Sequence, residues 1–195
     1  MTNEWTTNPM KDDRGFLTAI QIKKIISNEP NDRNRLMLKM LAVTGRRISE
    51  LLMLRVKDII PADNNAYFII LKKKKKEYIL KPIPERIMIE LMDYIKVERL
   101  LPSEFVFRFT RQYAFQIVRK AGERVGIIYV GERQKKLHPH HFRHSFAVNM
   151  AHNLTSPAQL AMLSKLLEHS SVNITMQYLK FNVEDQRTII EELYS

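Results

Sequence analysis

Residues 137–147 read Leu-His-Pro-His-His-Phe-Arg-His-Ser-Phe-Ala, and four of the chain's six histidines fall in the seven positions from His138 to His144. The pattern predicts a helix over 140–153. On it, His140 and Arg143 stand at i and i+3, one turn apart, so an imidazole and a guanidinium reach toward one point. His140 and His144 stand at i and i+4, a spacing that also suits a metal. Two features weigh against a metal. The chain has no cysteine, and position 141 is His where a zinc-hydrolase helix of the His-Glu-x-x-His kind needs a carboxylate. The segment therefore reads as a paired imidazole and guanidinium, with no metal expected.

Working outward, Thr18 predicts an N-cap, with Gln21 three residues on completing a capping box. Ile20, Ile22, Ile25 and Ile26 give a short helix ending near Ser27, and Glu29–Asp32 is a turn. Leu36, Met37, Met40, Leu41 and Val43 predict a second helix that buries most of its surface. Gly45 interrupts it before a short helix containing Ile48, Leu51 and Leu52. The period then changes to two. Tyr67–Leu71 and Tyr78–Leu80 read as a hairpin across the lysine run 72–76, joined to a strand around Val56–Ile60. Pro82 and Pro84 are expected to stop the sheet, and Pro84 to sit in the first turn of a helix over 85–97. From Arg111 onward the pattern is almost all helical, with further segments at 111–125, 157–168, 171–179 and 182–194. The fold class is mainly α with one small antiparallel β-sheet. One domain is expected over 16–195, preceded by a flexible polar arm over 1–15.

The chain has 195 residues, 45% of them hydrophobic and 27% charged, enough to bury one good core. Lys and Arg number 32 against 21 Asp and Glu, a net charge of +11. That excess suits nucleic acid or an anionic membrane surface. No run approaches the ~18–20 apolar residues of a bilayer span, and Met1–Arg14 does not resemble a signal peptide. Disulfides and thiolate metal sites are excluded. The composition reads as that of a soluble, basic, intracellular protein.

Two further segments carry candidate chemistry. Thr44-Gly45-Arg46-Arg47-Ile48-Ser49-Glu50-Leu51 sets two arginines at a helix break, where forked guanidiniums can hold phosphate. Taken alone, it reads rather as a solvated arginine pair capped by Glu50. Leu166–Leu179 ends one helix with His169 and carries Tyr178 nine positions later on the next. Taken alone, Tyr178 reads as a half-buried helix tyrosine.

Together and in this order, the three segments resemble the catalytic domain of the tyrosine recombinase (phage integrase) family. Gly45, Arg47, Glu50 and Leu51 match Gly-x-Arg-x-x-Glu-Leu. His140, Arg143 and His144 match His-x-x-Arg-His. Leu167, His169, Ser170, Ser171 and Tyr178 match Leu-Gly-His-Ser-Ser and its following tyrosine, with Glu168 departing where relatives have Gly. The resemblance implies the family's recombinase fold and DNA strand exchange through a covalent 3′-phosphotyrosine.

By this resemblance Tyr178 is the nucleophile, Arg47 and Arg143 hold the non-bridging oxygens, and His169 donates a further hydrogen bond. His140 is the base or an orienting group. A lysine of the hairpin turn protonates the leaving 5′-oxygen. Counting back from Lys76-Glu77 points to Lys73, with Lys72 or Lys74 the alternatives if the turn differs by one residue. Arg46, Lys72, Lys74, Lys75 and Lys76 are expected on DNA, while Glu50 and His144 support the site.

No cofactor is implied. The implied partner is double-stranded DNA bearing a specific site, with a tetramer coupled through the C-terminal helix (183–194), in the cytoplasm on the nucleoid. No N-terminal core-binding domain is expected within this chain. The alternatives are a topoisomerase-like nicking and closing enzyme, or a non-catalytic DNA-binding protein on the same scaffold.

Overall fold

The computed structural model describes residues 15–61, 67–72, 78–131 and 133–151, with side chains for 15–60, 82–131 and 133–150. The arm up to Arg14, the turn lysines 73–76, His169, Tyr178 and the helices expected beyond 152 lie outside the described residues, as does the side chain of Lys72.

Helix α1 (Ala19–Ser27) opens on the expected capping box: the Thr18 N–H donates to Gln21 Oε1 at 2.8 Å, and Gln21 N–H donates to Thr18 Oγ1 at 3.2 Å. Helix α2 (Asp32–Thr44) follows, with Asn31 Oδ1 accepting from the Asn34 N–H at 3.0 Å. Leu36, Met37, Leu38, Met40 and Leu41 are all buried. From Leu36 to Val43 only Lys39 is polar, and a helical stretch apolar on most of its faces lies inside; α2 is the central element, packed by α1, α4 (Glu85–Val97) and α6 (Pro139–Ala151). A short helix α3 (Ile48–Leu51) continues from the break at Gly45.

Strands β1 (Ile59–Pro61), β2 (Tyr67–Lys72) and β3 (Tyr78–Ile83) form an antiparallel sheet in that order, and the β2–β3 pairing runs from Tyr67↔Ile83 to Lys72↔Tyr78. The expected strand over 56–60 begins only at Ile59, because Val56–Asp58 is a 3₁₀ turn in which the Arg55 N–H donates to the Asp58 carboxylate at 3.0 Å. Pro82 does not stop the sheet. It pairs opposite Phe68 within β3, an edge strand, where a missing N–H is tolerated. Pro84 is the N-cap of α4 rather than part of its first turn.

Helix α5 (Arg111–Glu123) is capped by Thr110, whose Oγ1 accepts from the Tyr113 N–H at 3.1 Å. After it the all-helical expectation fails locally. Strands β4 (Tyr129–Val130) and β5 (Lys135–Lys136) make a second antiparallel hairpin. Two-residue strands are too short to show alternation in a sequence.

The core joins α2, α4, α5 and α6 through residues such as Met37, Leu41, Leu91, Val118 and Phe142. A ladder of Tyr94, Phe107, Phe109 and Tyr113 rings fastens the segment before α5 to α4. The buried Glu29 carboxylate ties the α1–α2 turn to α5 by pairing with Arg124.

The joint between α2 and α6 is tightest at Gly45. It closes α2 in the left-handed region, at φ +59°, and a Cβ there would overlap the Phe146 ring of α6. Gly45→Ala combines left-handed strain with overpacking, together roughly 2–3 kcal/mol. Thermal unfolding is expected to shift down by about 5–10 °C, and Gly45→Ala/Phe146→Leu is expected to recover part of that loss. A Gly45→Ala protein melting with the parent would contradict the packing described.

Candidate active site

The α2–α3 break positions the first group of candidate residues. Thr44 Oγ1 donates to the Met40 carbonyl at 2.6 Å and accepts from the Arg46 N–H at 3.4 Å, which fixes the chain as it leaves α2. The next two side chains then part company. Arg46 is 1% exposed, with its Nε 3.3 Å from Glu50 Oε2. The expectation that Arg46 meets DNA is therefore corrected: its guanidinium lies in the interior and supports Glu50. Arg47 points outward, 44% exposed, with Nη1 2.9 Å from Glu50 Oε1.

Glu50 thus sits between two guanidiniums and also accepts from the Arg47 backbone N–H at 3.2 Å. Burial alone would raise its carboxyl pKa. The Arg46 charge and the hydrogen bonds from Arg47 outweigh that and hold it below the usual carboxylate value.

Helix α6 supplies the second group. Arg143 is buried, and its Nη1 donates to the Gly45 carbonyl at 2.9 Å, across 98 residues of sequence. The two arginine segments, far apart in the chain, are thereby joined directly. His140 stands one turn before Arg143 with its ring at the surface. Close packing lowers its pKa first, and the charges of Arg143, Arg47 and Arg111 lower it further, against a smaller opposing pull from Glu50. A histidine held below its ordinary value is neutral near pH 7 and is able to accept a proton.

His144, expected to support the site, packs its ring edge against Phe16, with centroids 6.4 Å apart, and burial lowers its pKa. Among the described residues no three His, Asp or Glu side chains gather as metal ligands.

Several contributors carried no signal in the sequence. His141 plays the part that Glu or Gln plays in a capping box: its Nδ1 accepts from the His138 N–H at 3.2 Å, three residues back across Pro139. Ser145 Oγ donates to the His141 carbonyl and accepts from the Leu17 N–H, each at 2.7 Å, and so lashes α6 to the start of the described chain. Arg111 comes from α5, 29 positions before His140, and no periodicity links the two.

Two guanidiniums and a neutral imidazole on one face define a site suited to an oxyanion such as a phosphodiester. The chain belongs to the phage integrase family, whose pattern matches residues 15–185. It is 32% identical over 176 residues to a tyrosine recombinase of Pseudothermotoga lettingae (strain ATCC BAA-301 / DSM 14385 / NBRC 107922 / TMO), covering 88% of this chain and 57% of that protein. It is 28% identical over 187 residues to tyrosine recombinase XerA of Pyrococcus horikoshii (strain ATCC 700860 / DSM 12428 / JCM 9974 / NBRC 100139 / OT-3), covering 90% of this chain and 60% of that protein. The chain thus spans somewhat over half the length of these curated relatives.

Among solved structures, the fold is similar to that of XerA recombinase, with a TM-score of 0.72 at 23% identity over 92% of this chain and 64% of that one. It is also similar to XerH bound to its difH substrate before cleavage, with a TM-score of 0.71 at 24% identity over 90% of this chain and 53% of that one.

Burial and the neighbouring histidine charges hold His141 down to about 4. Its folded pKa lies below the unfolded value of about 6.5, so its contribution to stability is complete above about pH 6.5 and is lost as pH falls toward 4. Protonation would also place an N–H on Nδ1, facing the His138 donor. Thermal melts across this range are expected to fall with acid, and less steeply for His141→Gln, whose amide oxygen accepts without titrating. Identical pH profiles for the two proteins would remove His141 from this role.

Proposed function

We propose that the chain is the catalytic domain of a site-specific DNA recombinase, over residues 16–195, that cuts and rejoins duplex DNA through a 3′-phosphotyrosine on Tyr178. The observation that carries this reading is the Arg143–Gly45 hydrogen bond. It joins the two arginine motifs beside a neutral His140, within a chain that belongs to the phage integrase family.

Phosphodiesters repel nucleophiles because their non-bridging oxygens are charged, and charge grows further around phosphorus in the transition state. Fixed guanidiniums on those oxygens lower the barrier more than they stabilise the ground state. Arg47, exposed but fixed by Glu50, and Arg143, fixed by a backbone carbonyl, suit this task, with His169 as a further donor.

A free phenol, of pKa about 10, is mostly protonated at neutral pH, and His140 takes its proton. The Tyr178 oxygen then attacks phosphorus as the bond to the 5′-oxygen breaks, and Lys73 protonates that oxygen. Because the phosphotyrosine keeps a phosphodiester's bond energy, a 5′-hydroxyl reverses the step without ATP.

We further propose that Val183–Tyr194 docks on a neighbouring protomer and couples the sites of a tetramer. A groove of about 620 Å³ between α1, α2 and α4 offers a matching surface, with Ile22, Ile26 and Ile87 on its floor and Lys23 and Arg86 at its rim. The segment carries Ile189, Ile190 and Leu193 beside Glu184, Asp185, Glu191 and Glu192.

The test begins with a cleavage site selected from randomised nicked duplexes. Wild-type protein is expected to form an SDS-stable adduct on it, and Tyr178→Phe none. Arg47→Ala and Arg143→Ala are each expected to slow adduct formation by about 10²–10³-fold. DNA binding with no adduct in any protein would leave the binding-only alternative, and relaxation without exchange of duplexes would favour the nicking-closing one.

Truncation after Lys180 is expected to leave a folded protein that still forms the adduct and no longer exchanges strands. Loss of cooperative unfolding on truncation would make the segment a core helix instead.

A further inference from the structure

We propose that the buried Arg46 is a positioning residue for strand transfer: by taking one oxygen of Glu50 it confines that carboxylate's hold on Arg47 to the other, and so keeps the Arg47 guanidinium turned outward for phosphate. This role rests on the recombinase reading above. It falls to a position that the motif Gly-x-Arg-x-x-Glu-Leu leaves open.

Position 46 is an unexpected place for a charge. Arg46 is among the largest side chains buried completely. Taking a guanidinium out of water is costly, and apolar side chains of similar volume often hold a fold as well or better. Packing alone does not call for an arginine here. Its neighbour supplies the reason. After the left-handed turn at Gly45, Arg46 goes into the interior and Arg47 to the surface, and both meet the same carboxylate.

Glu50 is divided between them. Its Oε2 lies 3.3 Å from Arg46 Nε and accepts from the Arg47 backbone N–H at 3.2 Å, while Oε1 accepts from Arg47 Nη1 at 2.9 Å. A carboxylate with both oxygens open takes an arginine by two parallel hydrogen bonds. That grip would draw the Arg47 guanidinium down onto Glu50 and use up a second of its five N–H donors. With Oε2 taken from the interior side, Arg47 is tethered through Oε1, stays half-exposed and keeps donors for a phosphate. The Arg46 charge acts in a second way. Burial would raise the Glu50 pKa, and Arg46 is the strongest of the influences that lower it. A protonated Glu50 would hold Arg47 far more weakly. Among the described residues, the charged and titratable groups that face Glu50 are Arg46, Arg47 and, from α6, His140, whose pKa the Glu50 charge raises.

The test uses Arg46→Met and Arg46→Gln, which remove the charge and keep an unbranched side chain, on the nicked duplex where the parent forms its adduct. Both variants are expected to melt cooperatively, because Glu50 keeps Arg47 as its counter-charge. Both are expected to form the adduct about 10–100-fold more slowly at saturating DNA, with duplex affinity close to the parent's, because Arg47 acts chiefly on the transition state. Glu50→Gln is expected to slow the reaction too. Arg46→Met/Glu50→Gln is expected to be no slower than Glu50→Gln, since Arg46 works through that carboxylate. A ¹³C NMR titration of the Glu50 carboxyl, assigned with Glu50→Gln, is expected to show its midpoint moving up in Arg46→Met.

Adduct formation at the parent rate in folded Arg46→Met and Arg46→Gln overturns the role and leaves the recombinase reading intact. So do losses that multiply in the double variant, which would mean that Arg46 acts apart from Glu50, and so does a Glu50 midpoint that stays where it was. Loss of cooperative melting in both single variants would make Arg46 a residue of the fold instead. A parent that forms no adduct removes the recombinase reading, and this role with it.

Discussion

Gly45 ends the central helix in a left-handed turn, and its missing Cβ lets the Phe146 ring of α6 lie directly on the backbone. At the same place its carbonyl receives the Arg143 guanidinium. A side-chain acceptor at this point would have its own rotamers, whereas a backbone oxygen at a helix terminus is fixed by the helix. It is also one of the carbonyls that a helix end leaves without an internal partner. One residue therefore stops α2, sets the spacing to α6 and orients an arginine that lies 98 positions away. The rest of the site is arranged around that joint: Arg47 follows two residues after it, and His140 stands one turn before the arginine it holds.

Electrostatics explains why the neighbouring side chains are what they are. Gathering guanidiniums is unfavourable unless something offsets their repulsion. Glu50 does this, set between Arg46 in the interior and Arg47 at the surface, and the arginines in return keep its carboxylate ionised. The histidines contribute by staying neutral. His138, His140, His141 and His144 are all held below the ordinary value, with loss of solvent the leading cause in each. A cluster that looks basic in sequence adds little positive charge at neutral pH. In place of charge it supplies a proton acceptor at His140 and a helix cap at His141.

What could be read from sequence follows from how local each determinant is. The capping box at Thr18 and Gln21, the buried α2 and the break at Gly45 depend on residues within a turn or two of each other, and periodicity exposes them. The arginine and histidine motifs were legible for the same reason. The separation of Arg46 from Arg47 was not, since adjacent arginines look alike until packing decides which is buried. Neither was Arg111, whose tie to His140 runs through Phe115 and His138, nor Ser145, whose partner Leu17 lies 128 positions away. Pro82 misled because a proline marks a strand's end only where its N–H would be needed, and the edge position of β3 relaxes that demand.

The same arrangement bears on the proposal that this fold binds DNA. A chain of net charge +11 folds against its own repulsion, and among the described residues no carboxylate pairs with the exposed Arg111, Arg119 and Lys135 as Glu50 pairs with Arg47. Neutralising those groups with acidic side chains would strengthen the isolated fold and fill the positions that phosphates would take. The basic rim therefore makes sense as surface left for a partner, in contrast to Arg46, which pairs with Glu50 and stays inside. On that view the division between the two adjacent arginines is functional: one stabilises the site whether or not a ligand is bound, and the other is held in place with part of its hydrogen-bonding capacity free.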